Sequence, residues 1–274
     1  DIGRNYKMLV IPSCKFHLPS DEEEWRIEEY QFTLKELSKV WKEASPEIPF
    51  ILEANFSPTL AGSDRASKKE TILCWLRTIT RIIKSEAEVE LGIKVMNSTF
   101  EDEFQVRMLK ALAEAERRPD FIVYANRLFD PEKTFEAQTG IAYGGPDLSS
   151  RNLWVLTSVR RLQHLKKFPE LPPLSATGDI SSGRLALEYI LRGAESCQIH
   201  TFFQLPGSEY AMKKGTKTAR ALHELIFSPE EGLLAGMQYI KQQWGGLLST
   251  ETLSLKQISI LCRNEKFLKE NLYV

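Results

Sequence analysis

Short apolar runs rich in β-branched residues alternate with longer amphipathic stretches along most of the chain, and that rhythm leaves few folds open. The runs fall at residues 6–11, 49–54, 91–96, 121–125, 173–177 and 196–203. Between them, helical periodicity is predicted over about residues 22–43, 68–85, 101–117, 153–165 and 183–192, with a long loop through Gly145 after the fourth strand. Beyond Phe203 the pattern is wholly helical, at 218–227, at 229–244 and from about Leu255. Strands joined by helical crossovers build either an open doubly wound sheet or an eight-stranded ring. The expected class is therefore α/β, as a (β/α)8 TIM barrel whose first two strands would precede Asp1. No linker or composition break appears. Residues 1–274 are expected to form a single (β/α) barrel domain, with 208–274 as a C-terminal helical extension packed on it.

Charge narrows the partners. The formal net charge is −1, which gives no global attraction to nucleic acid or to an anionic membrane surface. No apolar run reaches the roughly 18 residues of a membrane helix. The four cysteines, Cys14, Cys74, Cys197 and Cys262, form no CxxC pair, so they read as reduced core thiols of a cytoplasmic protein rather than zinc ligands. His17, His164 and His223 lack partners at ligand spacing, and no metal site is expected. Arg117-Arg118 and Arg160-Arg161 are expected at helix ends or solvent faces. Asp21-Glu22-Glu23-Glu24, after Ser20, suits a helix N-terminus, where negative charge is favoured. The apolar residues of 225–244 suit packing against the barrel or a homodimer contact.

Residues 174–204 hold the chemistry. An apolar strand ends in Gly178, and a helix opens a few residues later behind Ser181 and Ser182. Such a turn points backbone N–H groups at one spot where the helix dipole favours an anion. The next strand closes on His200-Thr201, which would bring a hydroxyl and further N–H groups to the same rim. The alternative is structural: Gly178 permits a tight turn and Ser182 caps a helix.

The order Gly178-Asp179-Ile180, Ala186 to Ile190, Gly193-Ala194 and Cys197-Gln198-Ile199-His200-Thr201 resembles the dihydroorotate dehydrogenase family of flavin mononucleotide (FMN) barrels. That family carries Gly-Gly-Ile, a helix ending in Gly-Ala, and a strand closing on Thr. Upstream, Gly92-Ile93-Lys94-Val95 resembles the strand whose lysine reaches the flavin. Tyr124-Ala125-Asn126-Arg127 resembles its Asn-bearing strand end, Gly144-Gly145-Pro146-Asp147-Leu148-Ser149 its Gly-Gly-Leu-Ser-Gly loop, and Glu53-Ala54-Asn55-Phe56-Ser57-Pro58 its active-site loop. The resemblance implies FMN as cofactor, bound through Asn55, Lys94, Asn126, Gly145, Gly178, Asp179, Ile180, His200 and Thr201. It implies a small-molecule substrate held by Asn55, Thr59, Asn126 and Arg127, with Ser57 and Lys94 as the catalytic pair. A cation such as Lys94 would stabilise negative charge on a reduced flavin ring.

The pattern departs from the family at four points. The active-site loop is one residue shorter, so Ser57 directly precedes Pro58 and is the sole candidate base. Thr59 replaces an asparagine. Asp179 replaces the second glycine of the phosphate turn, setting a carboxylate beside an expected anion. Arg127 replaces a small hydroxyl residue, and would either bind an anionic group bidentately or pair with Asp130. Three readings follow: a flavin-dependent dehydrogenase, a drifted barrel that binds a phosphate ligand or partner, and a non-flavin phosphate-binding enzyme using Lys94 with Glu53.

Overall fold

A strand buried on both faces has no polar side to offer water, and Leu91-Gly92-Ile93 and Ile122-Val123-Tyr124 are buried throughout. The computed structural model describes residues 8–19, 24–55, 69–145, 148–248 and 253–271. Within them the chain divides into two compact units. One holds the residues up to Val123 with Leu128–Tyr143 and Glu170–Pro172; the other holds Tyr124–Arg127, Gly144–Pro169 and the chain from Pro173 onward.

The first unit runs β1 (Ser13–Cys14), α1 (Ile27–Ala44), β2 (Ile51–Asn55), α2 (Lys69–Glu86), β3 (Glu90–Lys94), α3 (Asp102–Ala113) and β4 (Phe121–Tyr124), whose last residue opens the second unit. Its strands pair in parallel, β1 with β2, β2 with β3 and β3 with β4. Helix α2 buries Ile72, Trp75, Leu76, Ile79, Ile82 and Ile83, the i, i+3, i+4, i+7 stripe of a helix lying on a sheet. Two boundaries differ from expectation. The first strand is Ser13–Cys14 rather than 6–11: Tyr6 lies outside the described residues, and Met8, Leu9, Val10 and Ile11 are exposed irregular chain. Register is set further on, where Glu53 N–H donates to Pro12 O at 2.9 Å and Ser13 pairs with Glu53. The long loop contains an antiparallel hairpin, β5 (Leu128–Phe135) with β6 (Gln138–Tyr143), turned through Glu136 and Ala137, both at positive φ. Helix α1 starts at Ile27, with Glu28 and Glu29 as its acidic first turn; residues 20–23 of the expected acidic start lie outside the described residues.

The second unit contains α4 (Leu148–His164), β7 (Leu174–Ala176), α5 (Gly183–Ile190), β8 (Ser196–Cys197), α6 (Thr201–Gln204), α7 (Lys217–Phe227), α8 (Leu233–Trp244), α9 (Leu255–Ser259) and α10 (Glu265–Asn271). β7 pairs in parallel with β8, and Thr177 exchanges backbone bonds with Tyr124 O (2.7 Å) and Ala125 N (3.1 Å). Helix α4 starts five residues before its expected first residue, at Leu148 rather than Leu153. β8 is far shorter than 196–203. After Gln198 N–H donates to Ala176 O, the chain turns so that Phe202 packs with Tyr210, Ala221 and Leu225. Helix α5 is capped by Ser182 Oγ, which accepts from Leu185 N–H. It ends in a Schellman pattern, Ala194 N–H to Tyr189 O and Gly193 N–H to Ile190 O, with Gly193 at φ +88°. That glycine also makes room for Arg160, which is buried rather than solvent-facing and donates Nε–H to Arg192 O at 2.7 Å. α8 packs against α5, so the C-terminal helices belong to the core of this unit.

Parallel strands joined by helices make the class α/β. Among the described residues no helix is long and apolar enough to cross a membrane. The thiols are not all in the core as expected: Cys74, on the outer face of α2, is exposed, Cys262 is buried, and burial pushes the Cys197 thiol up to about 12. Since the thiolate is the reactive form, iodoacetamide at about pH 8 should modify Cys74 and spare Cys197. Peptide mapping checks this, and equal labelling of the two would contradict it.

Candidate functional site: a peptide turn in the second unit and a buried ion pair in the first

At the end of β7 the chain turns on two successive left-handed residues, Gly178 at φ +103° and Asp179 at φ +53°. An alanine Cβ at 178 would lie 2.5 Å from Asn152 Nδ2 and 2.8 Å from Ala125 O, so both the backbone angle and the available space demand glycine. Asn152, fully buried on α4, donates through Nδ2 to Thr177 O at 3.1 Å and Ala125 O at 3.4 Å. Tyr189, fully buried on α5, donates its hydroxyl to Gly178 O at 2.8 Å. Burial raises the Tyr189 phenol well above its ordinary range. The nearby Asp179 charge also raises it, while hydrogen bonding from Asn152 acts in the opposite direction.

The far side of the turn is different. Among the described residues, nothing accepts from the N–H groups of Gly178, Ile180, Ser181 or Ser182. Further into α5 the donors are already used: Arg184 N–H bonds Glu231 O at 2.8 Å, and Leu185 N–H bonds Ser182 Oγ at 3.1 Å. The Asp179 carboxylate accepts from Ser149 Oγ at 3.1 Å, in the first turn of α4, where the helix dipole favours negative charge. Its charge therefore has a partner of its own.

The other predicted residues of this unit sit as follows. Ile180 is buried and Asn126 half-buried, while Arg127 is exposed. Gly145 is buried, and its carbonyl accepts from Leu148 N–H at the start of α4. His200 and Thr201 do not end a strand. They are exposed at the head of α6, which has no side-chain cap. In the first unit, Asp130 Oδ1 accepts from Glu132 and Lys133 N–H.

In the first unit, parallel register brings Asn55 beside Lys94 at the ends of β2 and β3. Lys94 Nζ lies 3.2 Å from Glu53 Oε1, and Ser13 Oγ donates to the same oxygen at 2.6 Å. The side chains are 16% and 6% exposed, so the pair is desolvated and its geometry set by three strands. Lys94 thus sits against the Glu53 carboxylate at the end of β3. Ser57 and Thr59 lie outside the described residues, as does the rest of the active-site loop through Lys68.

Asn152, Tyr189 and Ser13 were not singled out in the sequence, and Ser149 was read only as part of the Gly-Gly loop motif. One signal was available: Asn152 falls in the buried stripe Leu148, Asn152, Val155, Leu156, Val159, where an apolar residue is the default.

No protein-family model matches the chain, and no curated protein matches its sequence. Among solved structures, ligand-free DHODH from Eimeria tenella is similar at 17% identity and a TM-score of 0.46, over 67% of this chain and 52% of that one. DHODH from the same organism in complex with ferulenol is similar at 12% identity and a TM-score of 0.47, over 82% of this chain and 57% of that one. The chain thus spans little more than half the length of either structure.

Proposed function

We propose that this chain is an FMN-dependent oxidoreductase of the dihydroorotate dehydrogenase type, with its strands belonging to a (β/α) barrel. The observation that carries the reading is the turn at Gly178. The N–H groups of Gly178, Ile180, Ser181 and Ser182 have no acceptor among the described residues, and the Asp179 carboxylate accepts from Ser149 Oγ. Those donors fit a phosphate monoester, the anchoring group of FMN. The choice of a flavin among phosphate ligands comes from the sequence resemblance. In the second unit Gly178, Asp179 and Ile180 would take the phosphate through their backbone, and Asn126 would face the ligand. In the first, Lys94 would bring positive charge to the flavin and Asn55 would hydrogen-bond it. Bound FMN supplies a hydride acceptor at its N5. Ser57 is the candidate proton acceptor, Thr59 and Arg127 the candidate substrate contacts, and a small carboxylated substrate the expected class.

The purified protein should be yellow, or should take up added FMN and acquire flavin absorbance. A colourless protein that binds none under any refolding or reconstitution condition defeats the proposal. A second reading, a phosphate-ligand binder without redox chemistry, is favoured by His200 and Thr201. Both stand at the head of an exposed short helix instead of closing a strand. Under that reading FMN and unrelated phosphomonoesters bind alike, and Lys94→Ala leaves binding unchanged.

A further inference from the structure

Resting on the flavin reading above, we infer that Glu53, held by Ser13, tunes the charge that Lys94 presents to the flavin. It thereby sets how much more tightly the reduced cofactor binds than the oxidised one. The sheet places these groups together. Parallel register sets Ser13 beside Glu53, Glu53 beside Gly92 and Asn55 beside Lys94. Side chains alternate along a strand, so Ser13, Glu53, Asn55 and Lys94 share one face. The opposite face carries Leu52, Ala54, Leu91 and Ile93, all buried. The charged groups of β2 and β3 beyond Ile51 and Glu90 are thus confined to one face, and that face reaches the strand ends at Asn55 and Lys94.

A carboxylate in the middle of a buried parallel strand is not what stability selects. At 6% exposure Glu53 stands where an apolar residue is the default, and an apolar pair of similar volume would hold the strands about as well. Two donors meet at one of its oxygens, Lys94 Nζ at 3.2 Å and Ser13 Oγ at 2.6 Å. Gly92, its neighbour on β3, is covered by the Phe121 ring, which a Cβ there would meet at 2.0 Å. Charges walled in this way are poorly screened, so the Glu53 carboxylate offsets much of the field of Lys94 at the strand ends. Uptake of two electrons and one proton leaves the flavin ring one negative charge richer, and the field that remains decides how far that charge is favoured. Ser13 adjusts the balance by engaging part of the Glu53 charge in its own hydrogen bond.

Anaerobic titration of the full chain with oxidised FMN and with dithionite-reduced FMN reads this effect as a ratio of two dissociation constants. Glu53→Gln presents the same acceptor oxygen without the charge. It should raise the preference for reduced FMN about tenfold, equivalent to about 30 mV in the two-electron potential. Ser13→Ala, at an exposed position, should lower that preference about threefold, the worth of one hydrogen bond. The opposite signs separate tuning from damage, because a general loss of fit weakens both forms of the cofactor alike. If Glu53→Gln does not fold, Ser13→Ala decides alone. Ratios within twofold of wild type in the folded variants, or a shift in the same direction in both, overturn the role of Glu53 and leave the flavin reading standing. A wild-type chain that binds neither form of FMN overturns the flavin reading, and this inference with it, before any variant is made.

Discussion

Replacing Gly183 with alanine lowers the thermal midpoint of the protein by about 6–12 °C, the equivalent of about 3 kcal/mol in a domain of ordinary size. Gly183 opens α5, where the C-terminal helices dock. An added Cβ would stand 2.0 Å from Leu233 N, 2.3 Å from Leu225 O and 2.6 Å from Gly232 C. All three are backbone atoms, at the start of α8 and late in α7, so no rotamer change relieves the overlap. Either α5 or the α7–α8 connection must shift. Such a shift would disturb the Arg184 N–H to Glu231 O bond and the packing of Gly236 against Leu187. Gly246→Ala is the control, since nothing lies within 4 Å of a Cβ there. Scanning calorimetry that finds Gly183→Ala within about 2 °C of wild type would remove the C-terminal helices from the core of this unit.

The helical crossovers are legible because buried parallel strands and amphipathic helices differ in period, and chain segments such as 91–96 and 69–86 are long enough to show it. The hairpin is illegible for a local reason. Its turn places Glu136 and Ala137 at positive φ, without the Asn-Gly or Gly-Gly pair that signals such a turn, and Pro131 falls within its first strand. The sixth apolar run overstates its strand because such a run does not distinguish a strand from a short buried helix. Phe202 and Phe203 are apolar to pack with Tyr210 near α7, not to extend a sheet.

The same division holds at the candidate site. Gly178 and the Ser182 cap are local features and can be read directly. Asn152 and Tyr189 act on carbonyls 25 and 11 residues away in sequence, contacts that no local window contains. Asp179 reads as an obstacle in the sequence because its partner, Ser149, lies 30 residues upstream. Arg160 departs from its expected solvent face for a similar reason. The groups that receive it, the Arg192 carbonyl and the bare backbone of Gly193, are brought in by a different helix.

Lys94→Met costs about 3–4 kcal/mol of stability, Glu53→Leu costs less, and Glu53→Leu/Lys94→Met recovers most of the loss. Removing one member of a buried ion pair leaves the other charge desolvated without its partner, whereas replacing both with apolar side chains of similar volume removes the problem. The two single losses differ because the two residues differ in reach. Lys94 is 16% exposed and carries a flexible four-carbon stem, so its ammonium can swing toward water when Glu53 is gone. Glu53 is short, 6% exposed and fixed in the middle of β2 by register with Ser13 and Gly92. It cannot follow the water as Lys94 can, although Ser13 Oγ still donates to it. Denaturant unfolding of the four proteins closes the cycle, with an expected coupling of about 2 kcal/mol. Additive losses would mean that the 3.2 Å contact carries no energy. Lys94 would then be an independent strand-end cation.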